Sequence, residues 1–419
     1  MKDLYKIEEC RSCSSKKLIP IISLGDQYVV NFLDSDKNEG IKCPLNLILC
    51  NDCKLLQLEH NAPPESMWND QYWYKSGINK MIKDNLEEIV LEAEKTVKLK
   101  KGDIILDIGC NDGTLFEYYA TKGLIKYGFE PSKNVAREAK EKGFEVANDF
   151  FGSEKFKEKF GNKKAKVITA ISMFYDLENP NKFVGDIVKI LDNEGIFVVQ
   201  QNYLASMLEQ NAFDNICHEH REYYSLTSLK PLLEKYGLEI FKTSLNEING
   251  GSIRTLIKFK DSKIPEINEK DFSYLRDLEI KEKEMKLTEE KPYKDFAGRI
   301  NSIKKDLLKF LEEEKSKGKN ICALGASTRG NVLLQYFEIG PDLIKCIFDK
   351  NPDKEGKRTV GSLIPITSPD NILKYNPDYQ LVLIWHIFKG IGKDEKKFVD
   401  EGGKFIMPLP KFKVLDKIE

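Results

Sequence analysis

Asp103-Ile-Ile-Leu-Asp-Ile-Gly-Cys-Asn-Asp-Gly-Thr-Leu-Phe116 is an apolar run that breaks into a glycine-bearing turn and resumes as a helix. Ile104 to Leu106 have the β-branched and aliphatic character of a buried parallel strand, and Asp107 ends it. Gly109 and Gly113 let the backbone turn tightly and approach a ligand closely. A helix is expected directly afterwards, from Thr114 to Tyr119.

Two cofactor classes use such a strand-turn-helix, and the spacing separates them. Nicotinamide and flavin sites favour G-x-G-x-x-G, with a pyrophosphate on the helix N-terminus. Here the order is Asp107-x-Gly109-x-Asn111-x-Gly113. A carboxylate two positions before the first glycine repels a pyrophosphate but suits the ammonium of a methionine moiety, as in S-adenosyl-L-methionine. The next apolar stretch, Lys126 to Phe129, ends at Glu130, which is placed to accept hydrogen bonds from both ribose hydroxyls. A third, Phe144 to Ala147, ends at Asn148 and Asp149, where an adenine ring is expected. One glycine turn is weak evidence; three acidic or amide strand ends in order are much stronger. Residues near 100 to 205 therefore read as a class I methyltransferase core.

Outward from this core, 419 residues are too many for a single domain. With 66 basic and 67 acidic residues there is no net field to attract nucleic acid or an anionic membrane surface. No uninterrupted apolar run reaches the ~18 residues a bilayer span needs, and Met1 to Lys6 does not read as a signal peptide. A cytoplasmic protein, monomeric and without nucleic-acid or membrane partners, is expected. Nine cysteines in a reducing compartment are not a disulfide framework.

Four of them form Cys10-Arg-Ser-Cys13 and Cys50-Asn-Asp-Cys53, two C-x-x-C knuckles with the spacing of a tetrahedral zinc site. Four protein ligands leave no position for water, so the zinc is expected to be structural. It would hold together a module of some 60 residues that buries little apolar surface by itself. Next come Trp68, Tyr72, Trp73 and Tyr74, leading into a charged helix, Asn79 to Lys98. These aromatics read equally as packing between modules or, through Tyr72, Tyr74 and Ser76, as a cover over the cofactor pocket.

Beyond the adenine position, Lys166 to Ile171 reads as a strand, Phe183 to Leu191 as a helix and Gly195 to Gln201 as a strand. Then two of the chain's four histidines fall within three residues, His218-Glu219-His220, with Tyr223 and Tyr224 close behind. Such a cluster of proton carriers suits acid/base work better than a metal, because no further ligand set is evident.

Taken together, the double C-x-x-C head, the Asp107 to Gly113 turn, His-Glu-His, Asn249-Gly-Gly-Ser-Ile-Arg254, Gly325-Ala-Ser-Thr-Arg-Gly-Asn331 and Asp349-Lys-Asn-Pro-Asp-Lys354 resemble the nucleotide-sugar C-methyltransferases of deoxysugar biosynthesis. The resemblance spans nearly the whole chain. It implies an α/β protein of three parts: a zinc-binding module, a Rossmann-like class I methyltransferase core, and a C-terminal Rossmann-like domain holding a nucleoside-diphosphate sugar. The expected segments are 1–62 for the zinc module, 63–100 for an aromatic and helical linker, 101–260 for the core, 261–318 for a helical bridge and 319–419 for the C-terminal domain. The implied reaction is methylation of the carbon beside the ketone of a 4-keto-6-deoxysugar. His220 would be the general base and Glu219 would contact the sugar. His218 would orient the segment, and Tyr223, Tyr224 or Asn249 would donate to an enolate oxygen. Asn249, Gly250, Arg254, Ser327, Arg329, Asn331, Asp349 and Lys354 are the expected substrate contacts.

Three positions depart from the family pattern: Cys217 replaces a tyrosine, Asp176 a histidine, and His386 an asparagine. All lie toward the expected substrate, which keeps O- or N-methylation of a sugar nucleotide open as an alternative. A zinc-ribbon nucleic-acid methylase is a third reading, and the neutral charge argues against it. In the C-terminal part, the strand Asn320 to Leu324 runs into Gly325-x-x-x-x-Gly330, a βα turn that can offer N–H groups to phosphates. It lacks the Lys-Ser/Thr of a P-loop. Cys322 and Cys346 read as packing residues.

Overall fold

The computed structural model describes residues 4–29, 32–68, 72, 74–263 and 269–418; Trp73 lies outside the described residues. The N-terminal part is a small antiparallel sheet. Strand β1 (Leu18–Tyr28) pairs with β2 (Lys42–Cys50), and β2 pairs with β3 (Leu56–Leu58). Both cysteine knuckles sit at one end of this sheet. Arg11, between Cys10 and Cys13, ties them down by donating to the Gln57 side chain, the Leu58 carbonyl and Asn61 Oδ1.

The central sheet is built from β4 (Ile104–Ile108), β5 (Ile125–Phe129), β6 (Glu145–Ala147), β7 (Ala165–Ile171) and β8 (Leu191–Asn202), all parallel to their neighbours. A two-residue strand, β9 (Glu222–Tyr223), leaves this sheet and pairs with β3 of the head. The hairpin β10 (Leu238–Asn246) and β11 (Ser252–Phe259) then completes the sheet antiparallel to β8. Its order is β10-β11-β8-β7-β4-β5-β6, seven strands. Alternation explains the layers. Ile104, Leu106 and Ile108 join one apolar cluster and Ile105 the other, as expected of a parallel sheet covered on both faces.

The first helix, Lys80–Thr96, starts at Asn79, whose side chain caps Met81 N, and buries Leu86, Ile89, Val90 and Ala93. The charged bridge resolves into the helices Glu269–Glu284 and Lys291–Ser316, with Pro292 in the first turn of the second, where a missing N–H costs nothing. The C-terminal sheet follows: β12 (Ile321–Leu324), β13 (Ile347–Phe348), β14 (Ile366–Thr367), β15 (Tyr379–Val382), β16 (Lys404–Met407) and β17 (Lys413–Leu415), ordered β14-β13-β12-β15-β16-β17. Among the described residues no helix is long and apolar enough to cross a membrane.

The three parts share one core. Phe213 of the middle part stacks on Phe337 of the C-terminal part at 5.1 Å, and both belong to the same buried cluster as Leu45 and Leu47 of the head. Polar contacts reinforce this: Tyr28 N donates to Gln335 Oε1 at 2.9 Å, and Gly361 N to Asn38 Oδ1 at 2.7 Å.

Candidate active site

The sulfur atoms of Cys10, Cys13, Cys50 and Cys53 all lie within 4.8 Å of one another. Two of the separations, Cys10 to Cys53 and Cys13 to Cys50, are 3.5 Å. A tetrahedron of Zn–S bonds places its sulfurs about 3.8 Å apart, so the four thiols fit a zinc ion without rearrangement. Cys43 is not a fifth ligand. It is buried in a separate cluster with Val29, Ala62 and Met67, and burial pushes its thiol up to about 12.

At the C-terminal ends of β4, β5 and β7 lies a cavity of about 600 Å³. This is where an open parallel sheet binds its ligands. Of the expected cofactor residues, Asp107, Gly109, Asn111, Glu130, Asp149, Tyr72, Tyr74 and Ser76 line it; Gly113 and Asn148 do not. Gly113 has φ +75°, and a Cβ there would lie 2.8 Å from the Phe144 ring, so its role is to let the turn pack. Asn148 faces away, its amide donating to the carbonyls of Glu130 (2.8 Å) and Pro131 (3.0 Å).

The Asp107 carboxylate lies within β4 and accepts from Thr169 Oγ1 at 2.6 Å. Burial, together with the charge of Glu130, pushes its pKa up to about 7 despite the Thr169 hydrogen bond. Glu130 is likewise raised by burial, while its oxygens accept from Asn111 N (3.0 Å) and Ser132 N (2.8 Å). Two carboxyls held above their ordinary range in one cavity are primed for a cationic ligand.

The aromatic stretch before the first helix covers this cavity. Asn111 Oδ1 accepts from Ser76 N at 3.0 Å and its Nδ2 donates to Tyr74 O at 3.1 Å. Asn134 brackets Tyr72 in the same way, through Oδ1 to Tyr72 N (3.3 Å) and Nδ2 to Tyr72 O (2.9 Å). Gly77 N donates to Asp112 Oδ2 at 2.8 Å. Asn111 itself has φ +50°, a conformation asparagine tolerates better than most residues.

Asp176 and Arg221 also line the cavity. Arg221 N donates to Tyr175 O (2.8 Å) and its Nη1 to Asp176 O (2.9 Å), which fixes the His-Glu-His segment against the short turn Phe174–Asp176 that follows β7. Asp176 Oδ1, Arg221 Nη2 and Glu219 Oε2 are buried without a hydrogen-bond partner among the described residues. Sequence reading missed Arg221 as a cavity residue, although its position directly after His220 was a usable signal; Asp176 entered only as a departure.

The two histidines of the segment face different ways. His218 is buried, its Nε2 donating to Cys43 O of the head at 3.0 Å. His220 sits under the Tyr175 ring, 4.4 Å between centroids, and its Nδ1 is 2.9 Å from Asn215 O. A carbonyl only accepts, so Nδ1 carries the proton and Nε2 keeps a lone pair. Burial lowers both imidazoles to about 4. Tyr223 OH approaches the same Asn215 carbonyl at 3.4 Å, and burial holds both Tyr223 and Tyr224 well above the ordinary phenol range.

Most of the expected substrate contacts are engaged elsewhere. Arg254, on β11, donates to Gln200 Oε1, Asn85 Oδ1 and the carboxylates of Glu88 and Glu92, clamping the helix Lys80–Thr96 to the sheet. Ser327 caps its own helix by accepting from Gly330 N. Asp349 accepts from Ala326 N (2.7 Å) and Asn351 N (2.8 Å), and Lys354 donates to Ala326 O, so both close the turn after β12. Asn331 is buried. Asn249 (φ +55°) and Gly250 (φ +82°) form a tight turn where a Cβ on Gly250 would press on His386 at 3.3 Å. Arg329 makes a bidentate pair with Asp214, at 2.9 and 2.8 Å, and donates to Asn249 O at 2.6 Å. Removing one member of such a buried pair costs on the order of 3 to 5 kcal/mol.

A class I fold whose cavity is lined by strand-end acids, with a cluster of four cysteines in the head, defines an S-adenosylmethionine-dependent methyltransferase with a structural zinc. The comparisons with known proteins refine the class. Residues 10–68 match a zinc binding domain family, 76–243 a methyltransferase domain and 247–410 the C-methyltransferase C-terminal domain. The chain is 27% identical to the C-methyltransferase NovU of Streptomyces niveus, over 99% of each protein. Among solved structures it resembles the plantazolicin methyltransferase BpumL in complex with SAH (17% identity, 41% of this chain and 82% of that one, TM-score 0.34). It also resembles the magnesium protoporphyrin IX methyltransferase of Synechocystis PCC 6803 with bound SAM (13% identity, 42% and 78%, TM-score 0.32). The matched segments follow one another along the chain as a zinc-binding head, a methyltransferase core and a C-methyltransferase C-terminal domain.

Proposed function

We propose that the substrate is a nucleoside-diphosphate 4-keto-6-deoxysugar, handled in the cytoplasm, and that the methyl group goes to the carbon beside its ketone through an enolate. The observation that carries this reading is the fixed tautomer of His220, which leaves Nε2 unprotonated in a segment whose next residue, Arg221, lines the cavity. An imidazole lowered to about 4 is neutral throughout the physiological range, so Nε2 is free to accept a proton, while its weakened basicity raises the demand on enolate stabilisation.

Bound S-adenosylmethionine supplies an electrophilic methyl group. Asp107 and Glu130 would hold it by charge and hydrogen bonds, beneath the cover formed by Tyr72, Tyr74 and Ser76. His220 Nε2 takes the proton from the carbon beside the ketone. That carbon acid is far weaker than imidazolium, so the developing enolate oxygen needs a donor. Tyr223 stays protonated and lies beside His220; its hydroxyl, which donates to the Asn215 carbonyl at a long 3.4 Å, would turn to the enolate oxygen.

The test is a screen of sugar nucleotides by mass spectrometry for one methyl gained in the presence of S-adenosylmethionine. Exchange of solvent deuterium into the accepted sugar, without cofactor, then separates methylation at carbon from methylation at oxygen or nitrogen. A methylated product from a sugar that shows no such exchange would overturn the enolate route.

A further inference from the structure

The carbonyl that orients His220, that of Asn215, belongs to a one-turn helix, Phe213–Asn215, and also accepts from Cys217 N at 3.1 Å, while Asn202 Nδ2 donates to the Asn215 side chain at 3.2 Å. Its neighbour Asp214 is fully buried, and its carboxylate is held from the C-terminal domain. Arg329 Nε and Nη2 donate to its two oxygens at 2.9 and 2.8 Å, and Trp385 Nε1 donates to Oδ2 at 2.8 Å. Arg329 also lies 5.2 Å over the Trp385 ring and donates to Asn249 O. Phe213, on the other side, stacks on Phe337 of the helix that carries Arg329.

We infer that Arg329, Asp214 and Trp385 form a positioning device by which the C-terminal domain sets the tautomer and orientation of His220. The turn cannot shift without breaking a bidentate, buried ion pair, and the Asn215 carbonyl moves with the turn. Arg329, expected from its motif to touch substrate, acts here through Asp214. It has a second effect by charge. Beside His220 are the Tyr175 ring, the Tyr223 hydroxyl that shares its Asn215 partner and, from the C-terminal domain, the Arg329 cation, which disfavours an imidazolium. The inference gives the base of the proposed reaction its support, and so it rests on that reading for its purpose, while its test needs no substrate.

That test is NMR of the full-length, zinc-loaded protein labelled with 15N-histidine. With four histidines in the chain, His220→Asn assigns the His220 signals. His218, held by Cys43 O, serves as an internal control. In the wild type, His220 should show a single Nδ1–H tautomer. In Arg329→Gln and in Asp214→Asn that tautomer should give way to a mixture, with His218 unchanged. The midpoint of His220 should rise by about one pH unit in Arg329→Gln, which removes the cation, and should not rise in Asp214→Asn. Loosening alone would move both variants the same way. Where a single variant fails to fold, the double variant Arg329→Gln/Asp214→Asn leaves no unpaired buried charge and reads the same tautomer. An unchanged His220 tautomer and midpoint in folded variants would overturn the inference. If instead the tautomer responds while His220→Asn stays fully active, the positioning stands and the base assignment falls.

Discussion

The side-chain oxygen of Asn111, in the turn after the first core strand, accepts the backbone N–H of Ser76 at 3.0 Å. One asparagine therefore joins the floor of the cofactor cavity to its cover. Asn134 repeats the arrangement at Tyr72 but does not itself line the cavity, which makes it the cleaner probe. Asn134→Ala removes two hydrogen bonds worth roughly 1 kcal/mol each. Calorimetry should show S-adenosylmethionine bound about 30-fold more weakly, with the melting temperature nearly unchanged.

Cofactor binding should also depend on pH. With Asp107 at about 7 in the empty cavity, a cationic ligand favours the carboxylate and draws its pKa down. Affinity is then full above pH 7 and falls as the pH drops through it, by up to about tenfold per unit. Titrations at pH 6 in buffers of different ionisation enthalpy should reveal proton release on binding. Asp107→Asn should lose both the release and the slope.

Glu130 is the proposed ribose ligand. Glu130→Ala should weaken S-adenosylmethionine binding by ~1 to 3 kcal/mol. Part of this loss will come from Asn111 N and Ser132 N, which now donate to the carboxylate. Glu130→Gln keeps an acceptor for one of them and should fall in between; equal affinity in all three proteins would remove Glu130 from the site.

For the head, metal analysis should find about one zinc per chain. Chelation, Cys10→Ser or Cys53→Ser should leave protein that is insoluble or readily cleaved by proteases. Because β9 of the catalytic segment pairs with β3 of the head, zinc loss should also abolish activity in any protein that stays soluble.

The strands around the glycine turn, the four-cysteine cluster and most of the residues that line the cavity were legible because each rests on local chemistry: an apolar run, a turn residue, a paired spacing. The hairpin β10–β11 escaped, since Leu238–Asn246 alternates weakly and carries polar residues on a half-covered face. The intrachain partners of the expected substrate contacts were not legible. Arg254 and Arg329 stand in motifs that suggested phosphate or sugar, yet their partners are Glu92 and Asp214, residues 162 and 115 positions away that no local pattern connects to them. A buried arginine looks the same in sequence whether it meets a ligand or a carboxylate of its own chain.

The central claim is that His220 is the base. His220→Asn keeps size and polarity but has no group that titrates near neutrality. On an accepted sugar nucleotide, single-turnover methyl transfer and cofactor-free deuterium exchange should both slow by roughly 100-fold or more, with S-adenosylmethionine affinity nearly unchanged. His218→Asn, which loses a contact to the head, should cost less. Wild-type rates of transfer and exchange in His220→Asn would contradict the account and move the role to Glu219 or Tyr223.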